Sequence, residues 1–135
     1  MSKAEPNIQK YMTVLPNSIQ AKETMKTALD IMSEHQIRHL PVMDGEEVVG
    51  ILSDRDLKMA SSIRAVDPQT TLVADLYHRD PYKVDSDALL SEVAETMAEK
   101  HYGSALVMSN NKLVGIFTTV DACRALHDII LQRHH

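Results

Sequence analysis

Two stretches, GILSDRD at residues 50–56 and GIFTTVD at residues 115–121, decide the fold of this 135-residue chain. Each stretch contains a glycine, two apolar residues, a hydroxyl-bearing residue, two variable residues and an aspartate. The two stretches lie 65 residues apart, and a shift by 65 aligns residues 8–61 with residues 73–126 without a gap. Ten aligned positions are identical, whereas ordinary residue usage gives about three. The chain is therefore a tandem repeat.

Each half carries the same order of helix and strand signals. Apolar residues at i, i+3, i+4 and i+7 predict an amphipathic helix containing Met25 to Met32, and a matching helix containing Leu90 to Met97. Two β-like runs follow in each half, joined by a polar turn. In the first half that turn is Asp44-Gly45-Glu46, and Asp-Gly is a strong hairpin signal. A second helix closes each half, predicted over roughly residues 54–63 and 119–131.

A short first strand, marked by Ile19 after Pro16 and by Val84 after Pro81, completes each unit. The predicted fold class is α/β, in the α+β sense, built from two β-α-β-β-α repeats. One such unit has too little core to be stable by itself, so the pair is expected to form one module. The predicted boundaries are residues 8–63 for repeat 1, 64–72 for the connector and 73–131 for repeat 2.

Composition and charge narrow the function classes. The formal charge is −5 and no run of Lys or Arg is present, so we expect no nucleic-acid partner. No apolar stretch approaches the roughly 20 residues that cross a bilayer, and residues 1–6 lack the apolar core of a secretory signal. The single Cys123 excludes an internal disulfide framework and fits a reducing compartment. The predicted location is the cytoplasm.

The residues around these signals resemble a CBS (cystathionine β-synthase) domain. In the first half, HLPV at residues 39–42 precedes the hairpin and GILSDRD follows it. In the second half, GSALV at residues 103–107 and GIFTTVD occupy the same places. The resemblance covers nearly the whole chain, as a tandem pair called a Bateman module.

That resemblance implies a pseudo-twofold module with two clefts between the repeats. It implies that an adenosine compound such as AMP, ADP, ATP or S-adenosylmethionine binds there as a regulatory ligand, with no further cofactor required. It also implies a homodimer and a regulated partner protein. A structural dimerisation module with empty or degenerate clefts is the alternative.

The repeated motif is a strand that runs into the start of a helix. Ser53 and Thr118 fall near the N-cap, where backbone N–H groups and the helix dipole favour a phosphate. Asp56 and Asp121, three residues on, carry acceptor-only carboxylates that suit a ribose diol. The resemblance assigns the same roles. The spacing also fits a helix capping box, and one residue can serve both purposes.

Cations are distributed unequally between the repeats. The first repeat has Arg38, His39 and Arg55, where the second has Gly103, Ser104 and Val120. A guanidinium binds phosphate well, and the resemblance places basic residues at the positions of Arg38 and His39 against ligand phosphates. We therefore predict that the site built on Asp56 binds a phosphorylated ligand more tightly than the site built on Asp121, where Ser104 replaces the histidine. The alternatives are a solvated charge for Arg55 and a half-buried strand residue for His39.

Apolar residues at the start of each cleft are candidates to enclose the adenine, although residues at such spacings are also typical of a core. They are Ile19, Ile37 and Leu40 in the first repeat, and Val84, Tyr102 and Ala105 in the second. No metal site is predicted, because His39 starts a strand and cannot share a helical face with His35. No arrangement typical of an active site is present, so we predict that the chain is not an enzyme.

Overall fold

A computed structural model describes residues 5–14 and 17–134, and the predictions that involve Pro16 or the first four residues lie outside them. The elements in chain order are β1 (Thr13–Val14), β2 (Ile19–Gln20), α1 (Met25–His35), β3 (His39–Asp44), β4 (Glu47–Ser53), α2 (Asp54–Ser61), β5 (His78–Arg79), β6 (Lys83–Asp85), α3 (Leu90–Lys100), β7 (Ser104–Ser109), β8 (Lys112–Thr118) and α4 (Thr119–Arg133). A single 3-10 turn precedes each of β1 and β5, at Ile8–Lys10 and Val73–Asp75.

The predicted α/β class is confirmed, and the predicted helices and strands are all present. Each repeat also contains an extra short strand, β1 or β5, so that its order is β-β-α-β-β-α. These extra strands are two residues long. They are too short to produce the alternation by which a strand is predicted.

The described residues form two compact units that do not coincide with the sequence repeats. Residues 17–81 form the first unit, and residues 5–14 together with 82–134 form the second unit. The start of repeat 1 therefore belongs to the second unit, and the start of repeat 2 belongs to the first.

The first unit is a four-stranded sheet in the order β2-β3-β4-β5, with β2 parallel to β3 and the other pairs antiparallel. The hairpin between β3 and β4 turns at Gly45, whose φ of +64° favours glycine. Leu40, Leu52 and Leu57 are fully buried in the core between sheet and helices. The predicted connector lies in this unit, and its Thr71 carbonyl accepts a hydrogen bond from the first N–H of α1, at 2.8 Å.

The second unit repeats this arrangement with the order β1-β8-β7-β6, and β6 is parallel to β7. Ile8 and Phe117 are fully buried in its core. The N-cap of α3 is Leu89, which has no side-chain acceptor. The carboxylate of Glu5 takes that place and accepts the N–H of Ser91 at 2.9 Å.

The glycine of each motif lets an edge strand come close. A Cβ added at Gly50 would overlap the ring of Tyr77 and the carbonyl oxygen of His78. A Cβ added at Gly115 would lie 2.6 Å from the sulfur of Met12. The glycines thus permit β5 to pair with β4 and β1 to pair with β8. These edge strands bring His78 and Thr13 to the two motifs.

Candidate ligand site at the two helix starts

In the first unit, the start of β3 lies beside the start of α2. His39 pairs with Ser53 across the antiparallel ladder. The backbone N–H of Asp54 donates to the carbonyl of Arg38 at 2.9 Å. Residues 38–39 and 53–56 therefore meet at one end of the sheet, and the helix N-terminus points its partial positive charge at this place.

Ser53 and Asp56 form a capping box at the N-terminus of α2. The Asp56 N–H donates to the Ser53 Oγ at 3.1 Å. In return, Asp56 Oδ2 accepts from the Ser53 N–H and from the Ser53 hydroxyl, both at 2.9 Å. The local sequence fixes this geometry, since a hydroxyl followed three residues later by an acid satisfies two helix-end donors. The capping interpretation of the motif is confirmed in the first unit.

His78 completes the surroundings of Asp56. Its Nε2 lies 2.8 Å from Asp56 Oδ1, and because an ionised carboxylate only accepts, Nε2 carries the donated proton. The histidine side chain is 71% exposed, whereas that of Asp56 is 14% exposed. The imidazole therefore lies at the surface with the carboxylate largely covered.

Two arginines and a histidine surround this helix start. Arg38 and Arg55 are exposed, and His39 is half-buried. Burial lowers the pKa of His39 below its usual value, and Arg38 lowers it further, while Asp54 and Asp56 oppose the shift. Neither arginine forms an ion pair with any other residue in the described part of the chain. Both guanidinium groups are thus available to an anion.

The second unit builds the same frame with fewer charges. Ser104 pairs with Thr118, and the N–H of Thr119 donates to the carbonyl of Gly103 at 3.2 Å. Thr118 and Asp121 form a capping box at α4, with the Thr118 N–H 2.9 Å from Asp121 Oδ2. The predicted capping geometry is confirmed here too. The predicted inequality in charge stays a prediction about binding.

Asp121 is more enclosed than Asp56. It is 3% exposed, and Arg124 donates to its Oδ1 at 3.1 Å. The hydroxyl of Thr13 lies 3.4 Å from Oδ1 and 3.5 Å from Oδ2. A charged arginine therefore stabilises this carboxylate in place, while Asp56 has a histidine instead.

The apolar candidates differ in how accessible they are. Ile19, Leu40 and Ala105 are buried members of the two cores. Their side chains pack within each unit, which is what the core alternative predicted. Ile37 and Val84 are half-buried against those cores. Tyr102 is 42% exposed and lies against Tyr82, with ring centroids 5.2 Å apart.

Three residues at the motif aspartates were missed by the sequence argument: His78, Thr13 and Arg124. His78 and Thr13 are 65 residues apart, the repeat spacing, and that shared position is the signal that could have found them. Arg124 follows Asp121 by one helical turn, a spacing that brings side chains together.

The described residues contain no group of three or more His, Cys, Asp or Glu side chains placed to hold a metal ion. Among the helices that the structure describes, none has the length and apolar character needed to cross a membrane.

An apolar groove of about 370 Å³ lies in the second unit between α3 and α4. Its walls are mostly apolar, and they come from Pro6, Leu90, Ala94, Phe117, Ala122, Ala125, Leu126 and Ile129. Leu126 is 59% exposed and Ile130 next to it is 48% exposed. The outer face of α4 is therefore apolar along this groove.

A protein-family model described as CBS domain matches residues 8–63 and 73–128. Hypoxic response protein 1 of Mycobacterium tuberculosis is 34% identical over 105 residues, which are 77% of this chain and 73% of that protein. A crystal structure of Hypoxic Response Protein I with two coordinated zinc ions matches with a TM-score of 0.76, at 29% identity over 88% of this chain and 98% of that chain.

Two further solved structures are similar over nearly their full length. AcuB from Vibrio cholerae matches with a TM-score of 0.84 and 28% identity, covering 98% of each chain. CBSX2 in complex with AMP matches with a TM-score of 0.78 and 25% identity, covering 91% of this chain and 97% of that chain.

Proposed function

The chain belongs to the CBS domain family and carries two CBS domains in tandem, and from this premise we propose that it is a non-catalytic regulatory module. It binds an adenosine-containing ligand of the AMP, ADP or ATP class, or S-adenosylmethionine, and signals to a partner protein. No cofactor beyond that ligand is required. The single Cys123, which is exposed, fits the reducing conditions of the cytoplasm.

The observation that carries this proposal is the basic helix start of the first unit. Arg38, His39 and Arg55 lie at or beside the N-terminus of α2, which begins directly after Ser53. Helix N-termini bind phosphate through backbone N–H groups and the dipole. Arginine adds charge-assisted hydrogen bonds, which are about twice as strong as neutral ones. A phosphate at this position is therefore stabilised by three independent effects.

Asp56 supplies the ribose contact. It follows the phosphate position by one helical turn and has one carboxylate oxygen, Oδ1, outside the capping box. Capping and ligand binding coexist here because the two oxygens of the carboxylate have different partners. A ribose hydroxyl donating to Oδ1 would leave the cap intact.

A nucleotide is the favoured ligand class for two reasons. CBSX2, whose structure contains AMP, is 25% identical to this chain. The unequal charges also distinguish the two units: the first unit has the cations for a phosphorylated ligand, and the second unit has Ser104 and Val120 at the matching positions. We expect the first unit to be the tighter phosphate site.

Thermal-shift measurements with AMP, ADP, ATP and S-adenosylmethionine test the proposal, since a ligand that binds only the folded state raises the melting temperature. Asp56→Asn should weaken the binding of the preferred nucleotide about 10- to 100-fold, because a hydrogen bond to a charged group contributes about 1.5–3 kcal/mol. Asp30→Asn is the matched control, because Asp30 is an exposed acid of the same unit paired with Lys26. A nucleotide affinity that Asp56→Asn leaves unchanged would contradict the ribose assignment.

A structural dimerisation module is the second candidate, favoured by two observations. Both motif carboxylates are already hydrogen-bonded by protein groups. The apolar groove between α3 and α4 also fits a second copy of this chain. α3 exposes Glu92 and Glu95, and α4 exposes Arg124 and Arg133, so laying α4 of one copy beside α3 of another pairs opposite charges. A ligand-free homodimer in sedimentation, together with no thermal shift from any adenosine compound, would favour this candidate over the sensor.

A further inference from the structure

We propose that His78 is a gate on the ribose subsite of the first unit, and that a ligand with both ribose hydroxyls must displace it from Asp56. This inference rests on the proposed function, because it concerns regulation at the same site. It identifies a residue from repeat 2 that controls ligand access to a site in repeat 1.

The hydrogen-bond capacity of Asp56 carries the first step. An ionised carboxylate has about four acceptor positions, two on each oxygen. Oδ2 accepts two hydrogen bonds from Ser53 at 2.9 Å, and Oδ1 accepts one from His78 at 2.8 Å. One position on Oδ1 is left. A single hydroxyl can use it, but a cis-diol that donates both hydroxyls needs the position that the imidazole occupies.

Exposure carries the second step. The His78 side chain is 71% exposed and that of Asp56 is 14% exposed. The imidazole is therefore the outer partner of the pair, and a hydroxyl approaching from solvent meets it before it meets most of the carboxylate. An exposed ring can leave without opening a cavity in the core, so displacement costs the pair contact and little packing.

The second unit shows what the same position does without a gate. Its counterpart is Thr13, whose hydroxyl lies 3.4 Å and 3.5 Å from the Asp121 oxygens. Those distances are long for a hydroxyl–carboxylate bond, which is usually near 2.7 Å. A threonine hydroxyl can also rotate and accept a hydrogen bond. The gate is thus a property of histidine at this position in the first unit.

The position of His78 in the chain makes the gate a regulatory element. His78 belongs to β5, a two-residue edge strand that pairs with β4 only at Gly50 and Ile51. The chain leaves the first unit at residue 81, three residues after His78, and enters the second unit at residue 82. A ligand that displaces His78 therefore loosens the strand that connects the two units. The ligand signal leaves the first unit through this strand.

Calorimetric titration of the full chain with AMP and with 2′-deoxy-AMP tests the gate. His78→Thr introduces the residue that the second unit has at this position. It should tighten AMP binding about tenfold, because AMP no longer displaces a charge-assisted partner. 2′-Deoxy-AMP has one hydroxyl of the diol and fits the remaining acceptor position, so its affinity should change less than about twofold. His127→Thr is the control, because His127 is also an exposed histidine beside an aspartate, Asp128, at 3.3 Å.

Amide hydrogen exchange gives a readout that a purely structural role of His78 would not change. AMP should speed exchange at residues 78–79 in the wild-type chain, and 2′-deoxy-AMP should not. Equal AMP affinity for the wild type and His78→Thr, or equal tightening for both nucleotides, would overturn the gate and leave the proposed function standing. Binding of AMP by neither protein would overturn both.

Discussion

At the motif aspartates, each carboxylate first serves the protein's own helix. Asp56 and Asp121 close capping boxes with Ser53 and Thr118, an arrangement in which losing the cap costs about 1 kcal/mol. The two carboxylates then differ in their third partner, which is His78 for Asp56 and Arg124 for Asp121. The repeated motif therefore fixes the helix start in both units, while the residues around it set the ligand chemistry of each.

His39 makes the stability of the ligand-free chain depend on pH. Its pKa is lowered in the folded chain, chiefly by burial, so the folded state disfavours the protonated ring. The unfolded chain binds a proton near pH 6.5, where the folded chain does not. The stabilisation is complete above about pH 6.5 and is lost as the pH falls towards the lowered pKa of the folded state.

Urea unfolding at about pH 7.5 and pH 5 measures this effect. His39→Ser, which introduces the residue of the second repeat at this position, should lose less stability between the two pH values than the wild type does. The comparison isolates His39 from the six other histidines of the chain. An equal loss in both proteins would show that burial of His39 does not affect folding.

At the scale of elements, the edge strands depend on a glycine opposite them. β5 packs over Gly50, where a Cβ would overlap Tyr77 and His78. The other four-stranded sheet uses Gly115 in the same way against Met12 and Thr13. A glycine that appears in the sequence as part of a ligand motif is thus required by the close approach of two strands.

Gly50→Ala should destabilise the chain by about 1–3 kcal/mol, the usual cost of overpacking, and should specifically weaken the pairing of β5 with β4. Gly45→Ala is the control. It meets no atom within 4 Å but adopts a φ of +64°, so it costs about 1–2 kcal/mol through backbone strain alone. Amide exchange at residues 78–79 should rise in Gly50→Ala beyond the rise seen in Gly45→Ala. Equal exchange in the two variants would contradict the proposed role of Gly50.

At the scale of the whole molecule, each compact unit takes its last strand from the other sequence repeat. Residues 5–14 complete the second unit, and residues 73–81 complete the first. Ile8 and Val73 are matching positions of the repeats, and both are fully buried, but each lies in the core of the other repeat's unit.

Ile8→Ala should cost about 2–5 kcal/mol, as truncation of a buried isoleucine does, and the loss should fall on the second unit. Amide exchange should rise in β7 and β8, although Ile8 belongs to repeat 1 by sequence. Val73→Ala is the matched variant and should raise exchange in β3 and β4 instead. Exchange that rises in the unit of the variant's own sequence repeat would contradict the division into these two units.

The sequence by itself determined the features that depend on near neighbours in the chain. The repeat, the helices, the hairpin at Gly45 and the caps at Ser53 and Thr118 follow from residues within a few positions of one another, because helix periodicity, turn conformation and capping are local effects. The cations of the first repeat could be located in the same way, since Arg38 and His39 precede a predicted strand.

Only the tertiary structure decided which distant residues meet at the site. Thr13 reaches Asp121 across 108 positions of sequence, and His78 reaches Asp56 across 22. The two-residue strands that bring them there have no periodic signal, and their pairing depends on the space above a glycine in the opposite strand. The same packing buried Ile19, Leu40 and Ala105, because burial is a property of the assembled core that spacing along one strand does not specify.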